Sequence, residues 1–95
     1  MSSNPSNDAA SYKLLIKESA AKELEKVGSR KDRGKIVKRI DALASDPRPG
    51  GSEKLEAEEN KYRVRQGNFR IVYSIDDRNK VVTIIKIGDR KDVYR

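Results

Sequence analysis

The chain contains no cysteine and no histidine, and these two absences exclude a good deal of chemistry. Without cysteine there is no disulfide staple, no thiolate metal cluster and no thiol nucleophile. Without histidine the commonest neutral-pH acid/base and the commonest metal ligand are missing. Zinc enzymes, Ser-His-Asp hydrolases and papain-like proteases are excluded together, and neither a metal nor a cofactor is expected. Aromatics are scarce: four tyrosines, one phenylalanine and no tryptophan. Long apolar runs are missing too, since the densest, Val81-Val82-Thr83-Ile84-Ile85, falls far short of the ~18 residues that mark a membrane span. Residues 1–10 carry neither the basic nor the apolar region of a signal peptide. The expected setting is therefore cytoplasmic, with no membrane contact.

What is present is charge. Lys and Arg number 22 against 15 Asp and Glu, a formal +7 on 95 residues, of which only 35% are hydrophobic. That length fits one small domain. So charged a composition also fits a disordered chain, unless the apolar residues are periodic. The excess is uneven. Residues 51–60 are acidic, whereas residues 61–95 are strongly basic and richer in arginine than in lysine. A basic surface captures polyanions, and a planar guanidinium fork suits phosphate oxygens in a way that solubility alone does not require.

Residues 1–10 show no periodicity and read as a disordered tail before a single domain over 11–95. Tyr12 to Lys17 predicts a short strand. Ser19 is a candidate N-cap for a helix whose Ala20, Leu24 and Val27 share one face, stopped by Gly28. A second helix starts over Ser29 to Arg33. Its apolar stripe is Ile36, Val37, Ile40, Leu43 and Ala44, with Lys35, Lys38, Arg39 and Asp41 pointing away. Asp46-Pro47-Arg48-Pro49-Gly50-Gly51 ends it. Glu53 to Asn60 reads as an exposed connection anchored by Leu55.

The period then changes from 3.6 to 2. Tyr62, Val64 and Gln66 alternate with Arg63 and Arg65; Gly67-Asn68 turns the chain; Phe69, Ile71, Tyr73 and Ile75 alternate with Arg70, Val72 and Ser74. After a turn at Asp76 to Lys80, the β-branched run Val81–Ile87 reads as the central strand, ending at Gly88. The expected fold is α+β. It has an N-terminal strand, an αα-hairpin and a three-stranded antiparallel meander, with both helices on one face of a four-stranded, mostly antiparallel sheet.

Arg63 and Arg65 lie two apart and project from the same face of their strand, and the two-residue turn brings Arg70 near Arg65. Opposed like charges destabilise a hairpin unless an anion lies between them. The plain alternative is a solvated face, on which arginines add little to stability. Tyr62, Phe69 and Tyr73 are read as packing residues, and Glu56, Glu58 and Glu59 as solvated.

Three pieces in order, Gly50-Gly51-Ser52-Glu53-Lys54-Leu55, Tyr62 to Tyr73 and Ile87-Gly88-Asp89-Arg90-Lys91-Asp92-Val93-Tyr94-Arg95, resemble the RelE/ParE toxin superfamily, its RelE branch most closely. The resemblance implies an mRNA interferase of a toxin–antitoxin pair, cutting mRNA in the ribosomal A site by 2′-hydroxyl attack without metal. It places the basic strand pair on Arg63 and Arg65, the phosphate-binding arginine on Arg70, a second arginine on Arg90 and the terminal tyrosine on Tyr94. Lys61, Asp89, Lys91 and Arg95 border the RNA. Two departures stand out: arginines replace the lysines of the first basic strand, and Asp89 stands where many relatives carry histidine. Arginine cannot be deprotonated in a protein, so the candidate bases narrow to Asp89, Tyr94, Lys61, Lys91, water or ribosomal RNA. The implied partners are an acidic antitoxin, the ribosome with its mRNA, and operator DNA only through the toxin–antitoxin complex. The alternatives are a ParE-like gyrase inhibitor and a non-catalytic nucleic-acid-binding subunit acting in autorepression.

Overall fold

The computed structural model describes residues 11–56 and 59–89. The expected tail at 1–10, together with Arg90, Lys91, Tyr94 and Arg95, lies outside the described residues. The chain runs β1 (Lys13–Ile16), α1 (Glu18–Glu25), α2 (Arg30–Ser45), β2 (Glu53–Lys54), β3 (Lys61–Gln66), β4 (Phe69–Asp76) and β5 (Val81–Asp89). The expected α+β layering is present, but the sheet has five strands, not four, in the order β1-β5-β4-β3-β2. The additional strand is β2, a two-residue pairing of Glu53 with Arg63 and Lys54 with Tyr62 inside what reads as a connection. Two residues are too few to show alternation, so sequence pattern alone does not reveal it.

The sheet's centre also differs from expectation. β4, not β5, is the middle strand, and Arg70, Ile71, Val72, Tyr73 and Ile75 are all buried in it. β5 lies between β4 and β1, pairing antiparallel with the former and parallel with the latter, from Lys13↔Val81 to Ile16↔Ile84. The β4–β5 register slips between Val72 and Tyr73, whose partners are Lys86 and Ile84. Ile85 is thus left as a bulge residue, half-buried, while Val82 and Ile84 before it and Ile87 after it enter the core. A bulge of this kind resets which face later residues occupy.

The helices cover one face. The N-cap of α1 is Lys17, two residues earlier than Ser19 suggests, and it makes no side-chain cap. The reason is tertiary: the Lys17 N–H donates to the Ile84 carbonyl at 2.9 Å, fixing where the chain leaves the sheet. Ser29 does cap α2, its Oγ accepting from the Asp32 N–H at 3.2 Å, and Arg33 Nη1 donates to the Val27 carbonyl at 2.7 Å to close the inter-helix joint. Ile36, Ile40 and Leu43 are buried, as the stripe predicts, but Val37 is 41% exposed. It lies at the stripe's margin, one position from the buried Ile36.

Because β1 ends at Ile16, no strand among the described residues pairs with the outer edge of β5 beyond Ile84. Glu23 of α1 serves that edge instead, accepting from the Ile87 N–H at 2.8 Å and from Lys86 Nζ at 3.2 Å. At the other end of the sheet Arg48, just after α2, forms a bidentate pair with Asp77 (2.8 and 3.2 Å) and donates to the Tyr62 hydroxyl, while Tyr12 donates to the same Asp77 at 2.7 Å. These contacts tie the α2–β2 connection and the start of β1 to the β4–β5 turn. Arg48 and then Tyr12 hold the Asp77 carboxyl down at about 2. No helix among the described residues is long and apolar enough to cross a membrane.

Candidate nucleic-acid interface

The arginine cluster follows from strand pleating and one tight turn. Val64 is fully buried on the helix-covered face, so Lys61, Arg63 and Arg65 all occupy the opposite face of β3, with roughly 6.8 Å between alternate residues. Gly67 takes the left-handed conformation (φ 61°) that glycine adopts most readily, and the two-residue turn makes Gln66↔Phe69 the closing pair. Arg65 therefore stands directly opposite Arg70, Arg63 opposite Val72, and Lys61 opposite Ser74. On the far side of β4, Arg70 faces Gly88. The row across the sheet thus reads Arg65, Arg70, Gly88, with no side chain at its end.

Burial separates members of this set. Arg65 is exposed, as a solvated face requires, but Arg70 is only 4% exposed. Arg70 is thus not the solvated arginine that alternation suggests; its place on the central strand, flanked by β3 and β5, covers it. Arg63 is held by a carboxylate: its Nε donates to Glu53 Oε1 at 2.8 Å, and Nη2 donates to the same oxygen. Arg63 is the main cause that keeps the Glu53 carboxyl below the usual carboxylate range, and Arg65 and Arg70 lower it further. One carboxylate on β2 therefore feels three guanidinium groups on β3 and β4.

Arg63, Arg65 and Glu53 line a cleft of about 310 Å³, completed by Gly51 and by Arg39 of α2. Sequence reasoning missed Arg39 by assigning it to the solvent side of α2. It follows Ile36 by three positions and precedes Ile40 by one, so it borders the buried stripe. Nothing in linear order relates it to β3. It is half-buried, and its Nε is fully covered with no hydrogen-bond partner. Gly51, at φ 91°, is in a conformation side chains rarely adopt, and a Cβ there would meet no atom within 4 Å. The backbone conformation, not a lack of space, is what calls for glycine here.

The tyrosines pack, as expected. Tyr62 and Tyr73 stack at 6.0 Å between ring centroids, and Phe69 lies against the core. The Tyr73 hydroxyl donates to the Pro47 carbonyl at 2.7 Å, and burial pushes its pKa up to about 12. Glu56 is exposed, as expected; Glu58 lies outside the described residues. Asp89 falls in the strand phase opposite to that of Arg65 and Arg70. It pairs with Phe69 and lines a separate cavity of about 350 Å³ beneath α1 with Glu23, Lys26 and Lys86. Strand alternation is the reason, since Asp89 is one residue beyond Gly88, which faces Arg70. Of the site residues read from sequence, Arg63, Arg65 and Arg70 converge, Lys61 shares their strand face, and Asp89 does not. The cluster can bind and polarise a phosphate, but guanidinium groups cannot accept a proton.

The family described as the ParE toxin of type II toxin–antitoxin systems, parDE, matches residues 14–94. Toxin RelG of Mycobacterium tuberculosis is 38% identical over 34 residues, which is 36% of this chain and 39% of RelG, so the match spans about two fifths of that relative. The isolated Escherichia coli RelE toxin superposes with a TM-score of 0.72 at 31% identity, covering 87% of this chain and 90% of its own. A chain of the archaeal RelE–RelB complex from Pyrococcus horikoshii gives 0.75 at 27% identity, covering 84% and 96%. A chain of the toxin–antitoxin complex RelBE2 from M. tuberculosis gives 0.74 over 85% and 93%, and at 23% identity that likeness concerns the fold alone.

Proposed function

The chain belongs to the ParE toxin family of type II toxin–antitoxin systems, in its RelE-type branch, and from that premise we propose that it is an endoribonuclease that cuts mRNA in the ribosomal A site. The observation that carries this reading is the direct opposition of Arg65 and Arg70 on the sheet face that also carries Arg63. Opposed like charges cost a hairpin ~0.2–1 kcal/mol, a cost that a bound anion would reverse. A backbone phosphate is the anion whose geometry suits convergent guanidinium forks.

In the proposed reaction the 2′-oxygen of one nucleotide bonds to the adjacent phosphorus while the bond from phosphorus to the 5′-oxygen breaks. The products are a 2′,3′-cyclic phosphate and a 5′-hydroxyl. Arg65 and Arg70 stabilise the negative charge that grows on the phosphorane oxygens, and Arg63 adds to the field. Arg90 and Tyr94 complete the set by resemblance, Arg90 as a further phosphate ligand and Tyr94 stacking on the nucleotide or bonding to it. Lys61, Lys91 and Arg95 hold the flanking strand. The 2′-hydroxyl proton must go to a group other than arginine, and the departing 5′-oxygen must receive one. An acidic antitoxin, in keeping with the RelE–RelB complex in which the similar P. horikoshii chain was solved, is the proposed controlling partner.

A second reading has an observation of its own, because the matching family is described by its ParE members. In that reading the chain inhibits DNA gyrase and cuts no RNA. Mapping mRNA 5′ ends after adding the protein to translating ribosomes separates the two. Cleavage within A-site codons supports the first, gyrase-dependent DNA breaks support the second, and neither outcome leaves a nucleic-acid-binding subunit without catalysis.

A further inference from the structure

We propose that Arg39 of α2 is an RNA-contacting residue that binds a backbone phosphate beside the scissile one, a role that rests on the reading above and extends it to a second phosphate position. The cleft assigns it this place. Its other walls, Gly51, Glu53, Arg63 and Arg65, come from β2, the residues just before it, and β3; Arg39 alone comes from a helix. The wall charges are three guanidinium groups against one carboxylate, and that carboxylate is engaged by Arg63. Arg39 has no ion-pair partner among the described residues, and its covered Nε has no acceptor. An internal donor left unsatisfied in a polar cleft carries a desolvation cost that an incoming anion relieves.

Position decides which phosphate. Arg70 lies one strand inward from Arg65, toward β5, whereas the cleft with Arg39 lies on the β2 side of Arg65 and does not include Arg70. Arg65 stands between two sites. On one side, with Arg70, is the position of the reacting phosphate; on the other, with Arg63 and Arg39, is room for the neighbouring one. Gly51 lines that room without a side chain, and the space around its Cα is open. A residue holding a non-reacting phosphate contributes to capture of the strand, with little change at the transition state.

The test uses the full chain, with Arg39→Gln and Arg39→Lys alongside it, and two readouts. Binding of a fluorescent single-stranded RNA oligonucleotide is measured across a range of potassium chloride, and single-turnover cleavage is measured on programmed ribosomes at saturating protein. Arg39→Gln should weaken binding equally for oligonucleotides of different sequence and lower the slope of log affinity against log salt by about 0.7, the contribution of one phosphate contact to a single strand. Arg39→Lys, which keeps the charge, should restore the slope. The saturated cleavage rate should stay at the wild-type value for both. An unchanged salt slope in Arg39→Gln overturns the inference, and so does a saturated rate that falls with it, because Arg39 would then act on the reacting group. A slope lost in both variants, with a lowered melting temperature, makes Arg39 structural and also overturns it. Wild-type protein that binds RNA but never cleaves it defeats the nuclease reading, while the salt slope still decides the role of Arg39.

Discussion

Arg65 and Arg70 face each other, yet their removal should have opposite consequences for stability. Arg65 is exposed, and surface truncations usually stay within about ±0.5 kcal/mol. Arg65→Ala also removes a like charge from directly opposite Arg70, which is worth ~0.2–1 kcal/mol in its favour. The two effects together predict a melting temperature that tends upward, from about 2 °C below wild type to about 12 °C above it, given ~4–8 °C per kcal/mol for a domain of this size. Arg70, at 4% exposure, is packed between β3 and β5, and truncation there removes a long, covered alkyl stem. Arg70→Ala should cost about 2 kcal/mol, at the low end for buried truncations because a covered charge is removed with the stem. That corresponds to a fall of ~8–16 °C. Arg70→Met keeps most of the volume and discards the charge, so its melting temperature should recover toward wild type while mRNA cleavage stays lost. Thermal unfolding by circular dichroism gives the stabilities, and mapped mRNA ends on translating ribosomes give the activity. A double-mutant cycle on Arg65→Ala and Arg70→Met then yields the coupling. The reasoning is refuted if the pair proves attractive in that cycle, or if Arg70→Ala melts where Arg65→Ala does.

Ile84 is fully buried against the helices, whereas Ile85 is the half-buried bulge residue, so Ile84→Ala should cost ~2–5 kcal/mol in chemical denaturation and Ile85→Ala distinctly less. Asp77 titrates at about 2 in the folded chain against an ordinary 3.8, so its ion pair with Arg48 contributes fully above pH ~4 and is lost as pH falls through about 2. Asp77→Asn should therefore flatten the acid limb of a melting-temperature profile over that window, and a limb of unchanged steepness would contradict it. Glu53→Gln removes the cleft's own anion, so RNA should bind more tightly and with a steeper salt slope; unchanged binding would mean that Arg63 is not needed for the RNA.

Much of this architecture is legible in sequence because two periods do most of the specification. The change from 3.6 to 2 after Asn60 separates the helical layer from the meander, and the two-residue turn at Gly67-Asn68 sets the register that opposes Arg65 to Arg70. What the periods cannot convey is anything decided by neighbours distant in the chain. β2 exists because β3 offers Glu53 and Lys54 a partner, not because those two residues favour a strand. The N-cap of α1 is Lys17 because Ile84 binds it there, which overrides the better cap at Ser19. Arg70 has the polar phase of its strand yet is buried, because side chains on the neighbouring strands of a five-stranded sheet crowd its central strand, which alternation along one strand cannot convey. Arg39 joins the cleft only through the way α2 crosses β3, and its charge alone marks it among many basic residues.

The same geometry bears on where the proton goes in the proposed reaction. Of the candidate bases, Asp89 pairs with Phe69, one residue past the Gly88 that stands opposite Arg70, and lines the cavity with Glu23, Lys26 and Lys86. The carboxylate that does lie in the cleft is Glu53, and it is poorly suited to take a hydroxyl proton. Arg63 engages it directly, and the neighbouring guanidinium groups lower its pKa, so it is ionised at neutral pH but weakly basic. Tyr73 is no better, with its hydroxyl committed to Pro47 and a pKa near 12. An efficient general base has a pKa near the working pH, and assistance of that kind is worth ~10²–10⁴ in rate. A cleft rich in guanidinium groups and poor in proton acceptors suits, in the proposed reaction, a substrate delivered in reactive geometry, with the proton passing to water, to ribosomal RNA or to Tyr94. In the proposed reaction, positioning of the mRNA by the ribosome would supply what the cleft forgoes in acid–base chemistry. Glu53→Gln makes this concrete: cleavage that persists in that variant assigns Glu53 to charge balance, and cleavage that vanishes while RNA still binds makes it the base.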